Sequence, residues 1–125
     1  MKKISFNVQN NEIIFKKIPG YENYLISNTG ILLSSTSGKV MSTYLNEKGY
    51  QRVELTSIEG KRKKYLVHRL VLSAFGDING NTLNLESNYE EYSVDHLDKN
   101  RSNNCANNLE IVTQKENLNR RYKGE

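Results

Sequence analysis

Several residue types are scarce in this 125-residue chain, which has one cysteine, one proline and no tryptophan. Because Cys105 is alone, the chain cannot form an internal disulfide or a zinc site from several thiolates, so we expect no structural zinc and an inert thiol. No run approaches the about 18 apolar residues that cross a membrane, and the polar N-terminus lacks a signal-peptide core. We therefore expect a cytoplasmic protein without a membrane partner.

The charge balance is mildly basic, with 18 lysines and arginines against 14 aspartates and glutamates and a formal net charge of +4. This charge suits a polyanionic partner such as nucleic acid, although a soluble domain of any function can carry it. The densest basic run is Lys61-Arg62-Lys63-Lys64. It is either a DNA contact or a solvated hairpin.

The pattern of residues 1–76 predicts short β-strands separated by turns, followed by one helix. Asn28-Thr29-Gly30 is a turn signal between two apolar runs. A helix is predicted over 67–75, with Gly76 as its stop, because apolar residues recur there at helical spacing: Val67, Leu70, Val71, Ala74 and Phe75. We expect an α+β fold whose N-terminal module, residues 1–76, is a small antiparallel β-sheet with one helix.

Residues 77–93 contain no lysine or arginine and carry four acidic residues: Asp77, Glu86, Glu90 and Glu91. Without clear periodicity, this segment is predicted to be an acidic connecting loop, long for a small domain. An acidic surface repels phosphates, so we expect the loop either to face away from DNA or to be mobile.

The segment 94–125 has the pattern strand, loop, strand, helix. Val94–Leu97 and Leu109–Val112 are the predicted strands, and the Asn-rich stretch between them favours turns. Thr113-x-x-Glu116 is a capping box that predicts a helix start. Asn117 then occupies the position where an apolar staple residue is expected, and local rules tend to be broken at functional sites.

Asp95, His96 and Asn117 carry the groups that phosphodiester hydrolysis needs. A carboxylate and an amide oxygen suit Mg²⁺ or Mn²⁺, and histidine can accept a proton from water near neutral pH. A divalent metal ion can hold a phosphate oxygen and stabilise the leaving alkoxide. The alternatives are a buried His96 paired with Asp95 for structure and a surface Asn117. Adjacent strand residues point to opposite faces, so Asp95 and His96 share one site only at a strand end, a bulge or a strong twist.

The motif Asp95-His96-x-Asp98-x-Asn100, with Asn107-Asn108-Leu109-Glu110 and Thr113-x-x-Glu116-Asn117 after it, resembles the HNH, or ββα-metal, endonuclease motif. The resemblance implies a nuclease finger at 94–125 with His96 as general base. It also implies that Asp95 and Asn117 bind one divalent metal ion. Asn108, the middle residue of the motif, is implied to brace the loop and orient His96, and Asp98 and Asn100 are expected to hold the turn.

The resemblance extends upstream to the small N-terminal module of phage and intron-encoded HNH homing endonucleases. The matching residues are Ile18-Pro19-Gly20-Tyr21-Glu22-x-Tyr24-x-Ile26-Ser27-Asn28-x-Gly30, Gly49-Tyr50 and Val67-His68-Arg69-Leu70-Val71-x-x-Ala74-Phe75. Together the matches cover about residues 13–121. A bacterial or phage-infected host cell is the setting that this resemblance implies.

Two features depart from the family pattern. Relatives often have glycine where Lys99 stands, so Lys99 either adopts a strained positive φ, at about 1 kcal/mol, or adds a phosphate contact. The chain ends at Glu125, where homing enzymes of this type commonly carry a further DNA-reading module, and we therefore expect weaker specificity for long sites.

We hypothesise a metal-dependent DNA endonuclease that nicks one strand per active site, so a double-strand cut needs a homodimer or two encounters. The expected DNA contacts are Lys99, Arg101, Arg120, Arg121, Lys61, Arg62, Lys63 and Lys64. His68 is expected to be structural or to contact the DNA backbone. The alternatives are a non-catalytic DNA-binding module, a nuclease of broad nucleic-acid specificity, and a structural phage protein.

Overall fold

The computed structural model describes residues 12–85, 92–113 and 115–116. Within these residues, two three-stranded antiparallel sheets precede one α-helix, and a two-stranded hairpin follows it. The expected α+β class with small antiparallel sheets and a single helix is confirmed. The N-terminal part differs from the single sheet that we expected. No helix among the described residues is long and apolar enough to span a membrane.

The first sheet has the order β1-β2-β3, formed by Phe15–Ile18, Tyr21–Ser27 and Leu32–Ser34. Pro19-Gly20 connects β1 to β2, and Asn28-Thr29-Gly30 connects β2 to β3, as the turn signals predict. Ile18, Ile26 and Leu32 point into the core and are at most 1% exposed. After β3 the chain makes only an isolated bridge, from Leu33 to Val40, so the next strands form a separate sheet.

The second sheet has the order β4-β5-β6, formed by Tyr44–Leu45, Gln51–Thr56 and Arg62–Leu66. Val53 and Leu55 of β5 face the core, while Glu54 between them is exposed. A turn connects β5 to β6, and the predicted basic run lies where β6 begins, in the second strand of this hairpin.

Helix α1 spans Val67–Ala74 and begins where β6 ends. The predicted apolar stripe is only part of its buried surface, because its first six residues are all buried: Val67, His68, Arg69, Leu70, Val71 and Leu72. Both sheets, the segment around Leu83 and the hairpin surround the helix, so it has no fully solvated face there. The predicted stop is confirmed: Gly76 has φ +89° and its N–H donates to the carbonyl of Leu72 at 3.1 Å.

The hairpin that follows consists of β7, Tyr92–His96, and β8, Leu109–Thr113, which pair antiparallel. A single 3₁₀ turn, Ala106–Asn108, leads into β8. Leu109 is fully buried in the same core as Ile26 and Leu70, and the N–H of Ala106 donates to the carbonyl of Asn28 at 2.8 Å. The hairpin therefore packs directly on the N-terminal sheets and helix.

Asp77 is buried, at 7% exposure, although the acidic composition of 77–93 indicated a surface loop. Its Oδ1 accepts the N–H groups of Asn79 and Asn81, each at 2.9 Å, and its Oδ2 accepts the N–H of Ile111 at 2.8 Å. The expectation that this carboxylate belongs to an outward acidic surface is wrong, because it satisfies buried backbone donors of its own turn and of β8. Glu86, Glu90 and Glu91 lie outside the described residues.

Candidate active site

His96 is the last residue of β7, and the turn Leu97–Lys99 follows it. It pairs with Leu109 across the hairpin, and it is only 5% exposed. Asp95 pairs with Glu110 and is half-buried. The strand-end position that we required for a site shared by Asp95 and His96 is therefore present, although the register places the two residues on opposite faces of β7.

One hydrogen bond determines which nitrogen of His96 carries the proton. His96 Nε2 lies 3.0 Å from Asn104 Oδ1, and Asn104 Nδ2 donates to Gln51 Oε1 at 3.1 Å. Because the amide nitrogen of Asn104 is used as a donor to Gln51, its oxygen must accept from His96. The neutral imidazole is thus protonated at Nε2, and Nδ1 carries the lone pair that can act as a base.

Two aromatic rings of the N-terminal part contact His96. The His68 ring lies edge-on to it, with centroids 5.1 Å apart and planes at 85°, and the Tyr50 ring lies 5.8 Å away at 37°. His68 is itself 4% exposed, which favours a structural role over a contact with the DNA backbone. Burial lowers the pKa of His68 to about 3, with smaller contributions from His96 and Arg69, so this neighbour is neutral at physiological pH.

Asn108 braces the loop between the two strands, as the resemblance implies. Its Nδ2 donates to Asp98 Oδ1 at 3.0 Å and to the carbonyl of Asn103 at 2.9 Å, and its Oδ1 accepts the N–H of Asp98. None of these three hydrogen bonds of Asn108 reaches His96. The side chain that orients His96 is Asn104, four residues earlier.

Asp98 and Asn100 hold the turn after β7, as predicted. Asp98 Oδ1 accepts the N–H of Asn100 at 2.8 Å, and Asn100 Oδ1 accepts the N–H of Ser102 at 3.0 Å. Asp98 Oδ2 accepts a hydrogen bond from Asn103 Nδ2 at 2.8 Å. Hydrogen bonds from Asn103, Asn100 and Asn108 lower the pKa of the exposed Asp98 carboxyl, so it stays ionised while it holds the loop.

Lys99 is the one non-glycine residue of the described ranges with a positive φ, at 66°. The strained backbone considered in the sequence analysis is therefore real, and its cost is about 1 kcal/mol. Lys99 is exposed beside the loop, so its ammonium group remains able to meet a phosphate as well.

The donor set for a metal ion is only partly within the described residues. Asp95 is half-buried, and its cross-strand partner in the hairpin register is Glu110, so two acidic residues share one face of the hairpin. Among residues 12–85, 92–113 and 115–116, no group of three or more His, Cys, Asp and Glu side chains is clustered to hold a metal. A single carboxylate with waters and substrate phosphate still fits the usual environment of Mg²⁺ in proteins.

The helix start after β8 is confirmed by its capping box. Thr113 N–H donates to Glu116 Oε1 at 3.0 Å, and Glu116 N–H donates to Thr113 Oγ1 at 3.1 Å. The predicted metal ligand Asn117 and the predicted DNA contacts Arg120 and Arg121 lie outside the described residues.

The basic run occupies two faces of the second sheet. Lys61 to Lys64 are all exposed, but Lys63 pairs with Leu55 and its Nζ lies 5.4 Å from the Tyr65 ring centroid. Arg62 and Lys64 point to the opposite, outer face. On that face a cavity of about 520 Å³ is lined by Tyr44, Asn46, Glu47, Lys48, Tyr50, Arg52, Lys64 and Leu66. Because Tyr50 also contacts His96, this basic groove begins next to the candidate active site.

Arg101 is engaged within the protein. Its guanidinium carbon lies 4.8 Å from the Tyr50 ring centroid, and its Nη1 donates to the carbonyl of Lys48. The remaining N–H groups of Arg101 are the ones that could meet a phosphate.

Sequence reasoning missed Asn104, Gln51 and Tyr50 as site residues. Asn104 was one asparagine among many in a predicted turn, and only its burial, at 2% exposure, separates it from its neighbours. Gly49-Tyr50 belonged to the upstream resemblance, which was the available signal, but it implied no role. Gln51 and Asn104 are 53 residues apart, and a contact at that separation leaves no periodicity to detect.

The chain is similar to known endonucleases over most of its length. Residues 65–119 match the HNH endonuclease family model, and residues 14–56 match the NUMOD4 motif. The DNA endonuclease I-HmuI of Bacillus phage SP01 is 42% identical over 106 residues, covering 83% of this chain and 55% of that protein. The H-N-H endonuclease F-TflII of Escherichia phage T5 is 36% identical over 102 residues, covering 82% of this chain and 49% of that protein.

The fold of this chain is similar to that of a solved structure described as DNA binding and cleavage by the HNH homing endonuclease I-HmuI. The TM-score between the two structures is 0.70, and their sequences are 38% identical. The match covers 88% of this chain and 58% of that chain. The chain therefore spans about half the length of the curated relatives it matches. Both resemblances inferred from the sequence, to the HNH motif and to the upstream module, are confirmed.

Proposed function

Because residues 65–119 match the HNH endonuclease family model and most of the chain is similar to HNH endonucleases, we propose that it is a metal-dependent DNA endonuclease that hydrolyses phosphodiester bonds, with His96 as the general base. The observation that carries the proposal is the hydrogen bond from His96 Nε2 to Asn104, which leaves Nδ1 as the proton acceptor. In this reaction His96 takes a proton from the attacking water, and the turn held by Asp98 and Asn108 keeps His96 at the end of β7.

We propose that Asp95 and Asn117 hold one divalent ion, Mg²⁺ or Mn²⁺, and that the chain has no structural zinc. When bound, the ion supplies charge stabilisation for the phosphate and for the leaving oxygen. Hard oxygen ligands of this kind favour Mg²⁺ or Mn²⁺ over softer metals. The cross-strand pairing of Asp95 with Glu110, which puts two acidic residues on one face of the hairpin, supports this position for the site.

DNA is the proposed substrate, and the basic groove on the outer face of the second sheet is the proposed path of its backbone. Lys64 and Arg52 line the groove, and Arg62 lies on the same face of β6. Lys99 and Arg101 lie beside the loop that holds His96, and Arg120, Arg121 and Lys61 complete the proposed phosphate contacts. Lys63 stays a predicted phosphate contact outside this groove, because it points to the opposite face of β6. Such contacts supply affinity and position the duplex without reading its sequence.

One metal site per chain predicts that a monomer nicks one strand. A double-strand cut would require a homodimer or two encounters, and an intracellular setting in bacterial or phage-infected cells follows the phage relatives. The division into residues 1–76, 77–93 and 94–125 stays a prediction. The shared core, and an HNH match that begins at residue 65, indicate that the parts depend on one another.

Plasmid nicking tests the proposal. Supercoiled DNA is incubated with Mg²⁺ or with EDTA, using the wild type, His96→Ala and the control Lys17→Ala, which changes an exposed residue of β1. We expect magnesium-dependent nicking by the wild type and the control, and a loss of about 10²- to 10⁴-fold in His96→Ala. Equal nicking by His96→Ala and wild type would disprove the general-base role.

A non-catalytic DNA-binding module is the second candidate, because His96 is only 5% exposed and a general base must reach water. No nicking by any protein, with intact binding to DNA in a gel shift, would favour it. Parallel reactions with single-stranded RNA and with linear DNA test the third possibility, a nuclease of broad specificity. Cleavage of RNA at a rate similar to that of DNA would establish that alternative.

A further inference from the structure

The hydrogen bond to Asn104 fixes only one atom of the His96 ring. It restrains the position of Nε2, but this atom lies close to the extended line of the Cβ–Cγ bond, so the imidazole can still turn about that bond with little movement of Nε2. The χ2 torsion of histidine is broad and provides little restraint of its own. A base that must meet a water molecule within hydrogen-bond distance therefore needs another restraint on its ring plane.

Two rings from the N-terminal part are placed to give this restraint. Tyr50, His68 and His96 are in mutual contact, with centroid separations of 5.4 Å for Tyr50–His68, 5.1 Å for His68–His96 and 5.8 Å for Tyr50–His96. The edge-on ring of His68 meets His96 at 85°, while Tyr50 lies closer to parallel, at 37°. Contacts from two directions oppose rotation of the imidazole, whereas one contact would not.

We propose that Tyr50 and His68 form an aromatic clamp that sets the ring plane of His96, and that both are positioning residues for the base. The inference rests on the proposed function, in which His96 accepts the proton. It places part of the active site outside the 94–125 hairpin, on the residue just before β5 and on helix α1. The finger would then depend on the N-terminal sheets for its chemistry as well as for its core.

The Tyr50 side of the clamp is itself held in place. The N–H of Tyr50 donates to Asn46 Oδ1 at 3.0 Å, and the N–H of Asn46 donates to the carbonyl of Tyr50 at 2.8 Å. Arg101 covers the Tyr50 ring with its guanidinium group at 4.8 Å. The next residue, Gln51, is the first residue of β5 and holds Asn104, so two consecutive residues, at the end of this turn and the start of β5, support the ring and the hydrogen-bond partner of His96. A rigid turn of this kind pre-organises the site.

Histidine is an unusual residue at position 68 if its role there is only to pack against other rings. Its Nδ1 is buried and has no hydrogen-bond partner among the described residues, which a hydrocarbon ring would avoid. The ring is nevertheless neutral, because burial lowers the pKa of His68, and it can pack against His96 without adding a like charge. If the flat ring is what His96 requires, phenylalanine at position 68 will replace histidine in this role.

Matched substitutions distinguish the effect of a planar ring from the effect of side-chain volume. Leucine keeps much of the volume at positions 50 and 68 but removes the planar surface, whereas phenylalanine keeps the plane. We expect Tyr50→Leu and His68→Leu to lower the single-turnover nicking rate by about 10- to 100-fold with little change in KM. Tyr50→Phe and His68→Phe should stay within about 3-fold of wild type. Tyr21→Leu, which disrupts the separate Tyr21–Tyr65 ring pair, is the control for loss of packing alone.

A second measurement does not depend on cleavage. The Cε1–H signal of His96 is recorded by NMR in histidine-labelled protein, and its line width is compared because its position also responds to the neighbouring ring itself. We expect a sharp signal in both phenylalanine variants and a broadened one in both leucine variants. The clamp proposal is disproved if the leucine variants nick as fast as wild type. It is also disproved if the phenylalanine variants nick as slowly as the leucine variants. An unchanged His96 signal in every folded variant also overturns it. If the wild type does not nick at all, the proposed function fails, and the NMR comparison still decides whether Tyr50 and His68 hold the ring.

Discussion

Gly30 and Asn104 lie against each other, so closely that a Cβ atom on Gly30 would be 3.1 Å from the Cβ of Asn104. Gly30 also has φ +94°, a left-handed conformation that L side chains rarely adopt. The turn between β2 and β3 therefore supports the residue that hydrogen-bonds to His96. An early turn, 66 residues before the proposed base (96 − 30), is part of the geometry of the site.

We predict that Gly30→Ala destabilises the protein and slows nicking. The added methyl group strains the backbone and pushes on Asn104, so we expect a loss of about 2 kcal/mol in the free energy of unfolding, measured by urea denaturation. Gly20→Ala is the control, because Gly20 has φ +84° and nothing within 4 Å of an added Cβ. It should share the backbone strain without slowing cleavage in conditions where both proteins are folded. Equal nicking by the two variants would contradict the link from Gly30 to His96.

Removing the amide of Asn104 should slow nicking without abolishing DNA binding. Asn104→Ala leaves His96 Nε2 without its acceptor, so we expect the nicking rate to fall by about 10- to 100-fold while the gel-shift affinity is retained. Asn104→Asp keeps an acceptor for His96 and should cut faster than the alanine variant. Asn107→Ala changes an exposed asparagine of the same loop and serves as the control. Wild-type rates in Asn104→Ala would rule out this hydrogen bond as a determinant of the active tautomer.

Local sequence signals were sufficient for the elements and for the ends of the hairpin. The helix over 67–75, the capping box of Thr113 and Glu116, and the positive φ considered for Lys99 each depend on residues within a few positions of one another. Such signals arise from backbone preferences and from the 3.6-residue period, which act within one element. These predictions succeeded because each depends only on residues that are close together in the sequence.

The sequence-based expectations that failed concern residues whose roles depend on tertiary contacts. The buried role of Asp77 requires β8 to supply the N–H of Ile111, 34 residues away, and composition alone indicated an acidic surface. Asn104 and Asn108 are both buried asparagines of one loop, and only the fold decides which of them contacts His96. The family resemblance implied this task for Asn108, whose hydrogen bonds instead join the two ends of the loop.

Lys99 combines backbone strain with a possible phosphate contact, and one substitution separates the two effects. Lys99→Gly relieves the strain at φ 66°, so we expect unchanged or slightly higher stability, by up to about 1 kcal/mol. It also removes a positive charge, so the plot of log affinity for DNA against log salt concentration should become shallower by about 1. Lys99→Ala is the matched control, since it loses the charge but keeps the strain. An unchanged salt slope in both variants would show that Lys99 does not contact phosphate.

The buried, neutral state of His68 predicts a loss of stability in mild acid. In the unfolded chain His68 has its ordinary pKa of 6.5, but in the folded protein burial, with His96 and Arg69 nearby, lowers the pKa to about 3. The unfolded state therefore binds the extra proton, and stability falls as the pH drops below 6.5 and continues to fall until about pH 3. Between pH 7 and pH 5, we expect this residue to account for a loss of about 2 kcal/mol in the free energy of unfolding. His68→Phe cannot titrate, so urea denaturation at both pH values should show a loss smaller by that amount in the variant, with the other titrating groups common to both proteins. Parallel pH dependences for wild type and His68→Phe would mean that His68 takes up its proton as readily in the folded protein as in the unfolded chain, and that burial does not keep this ring neutral in mild acid.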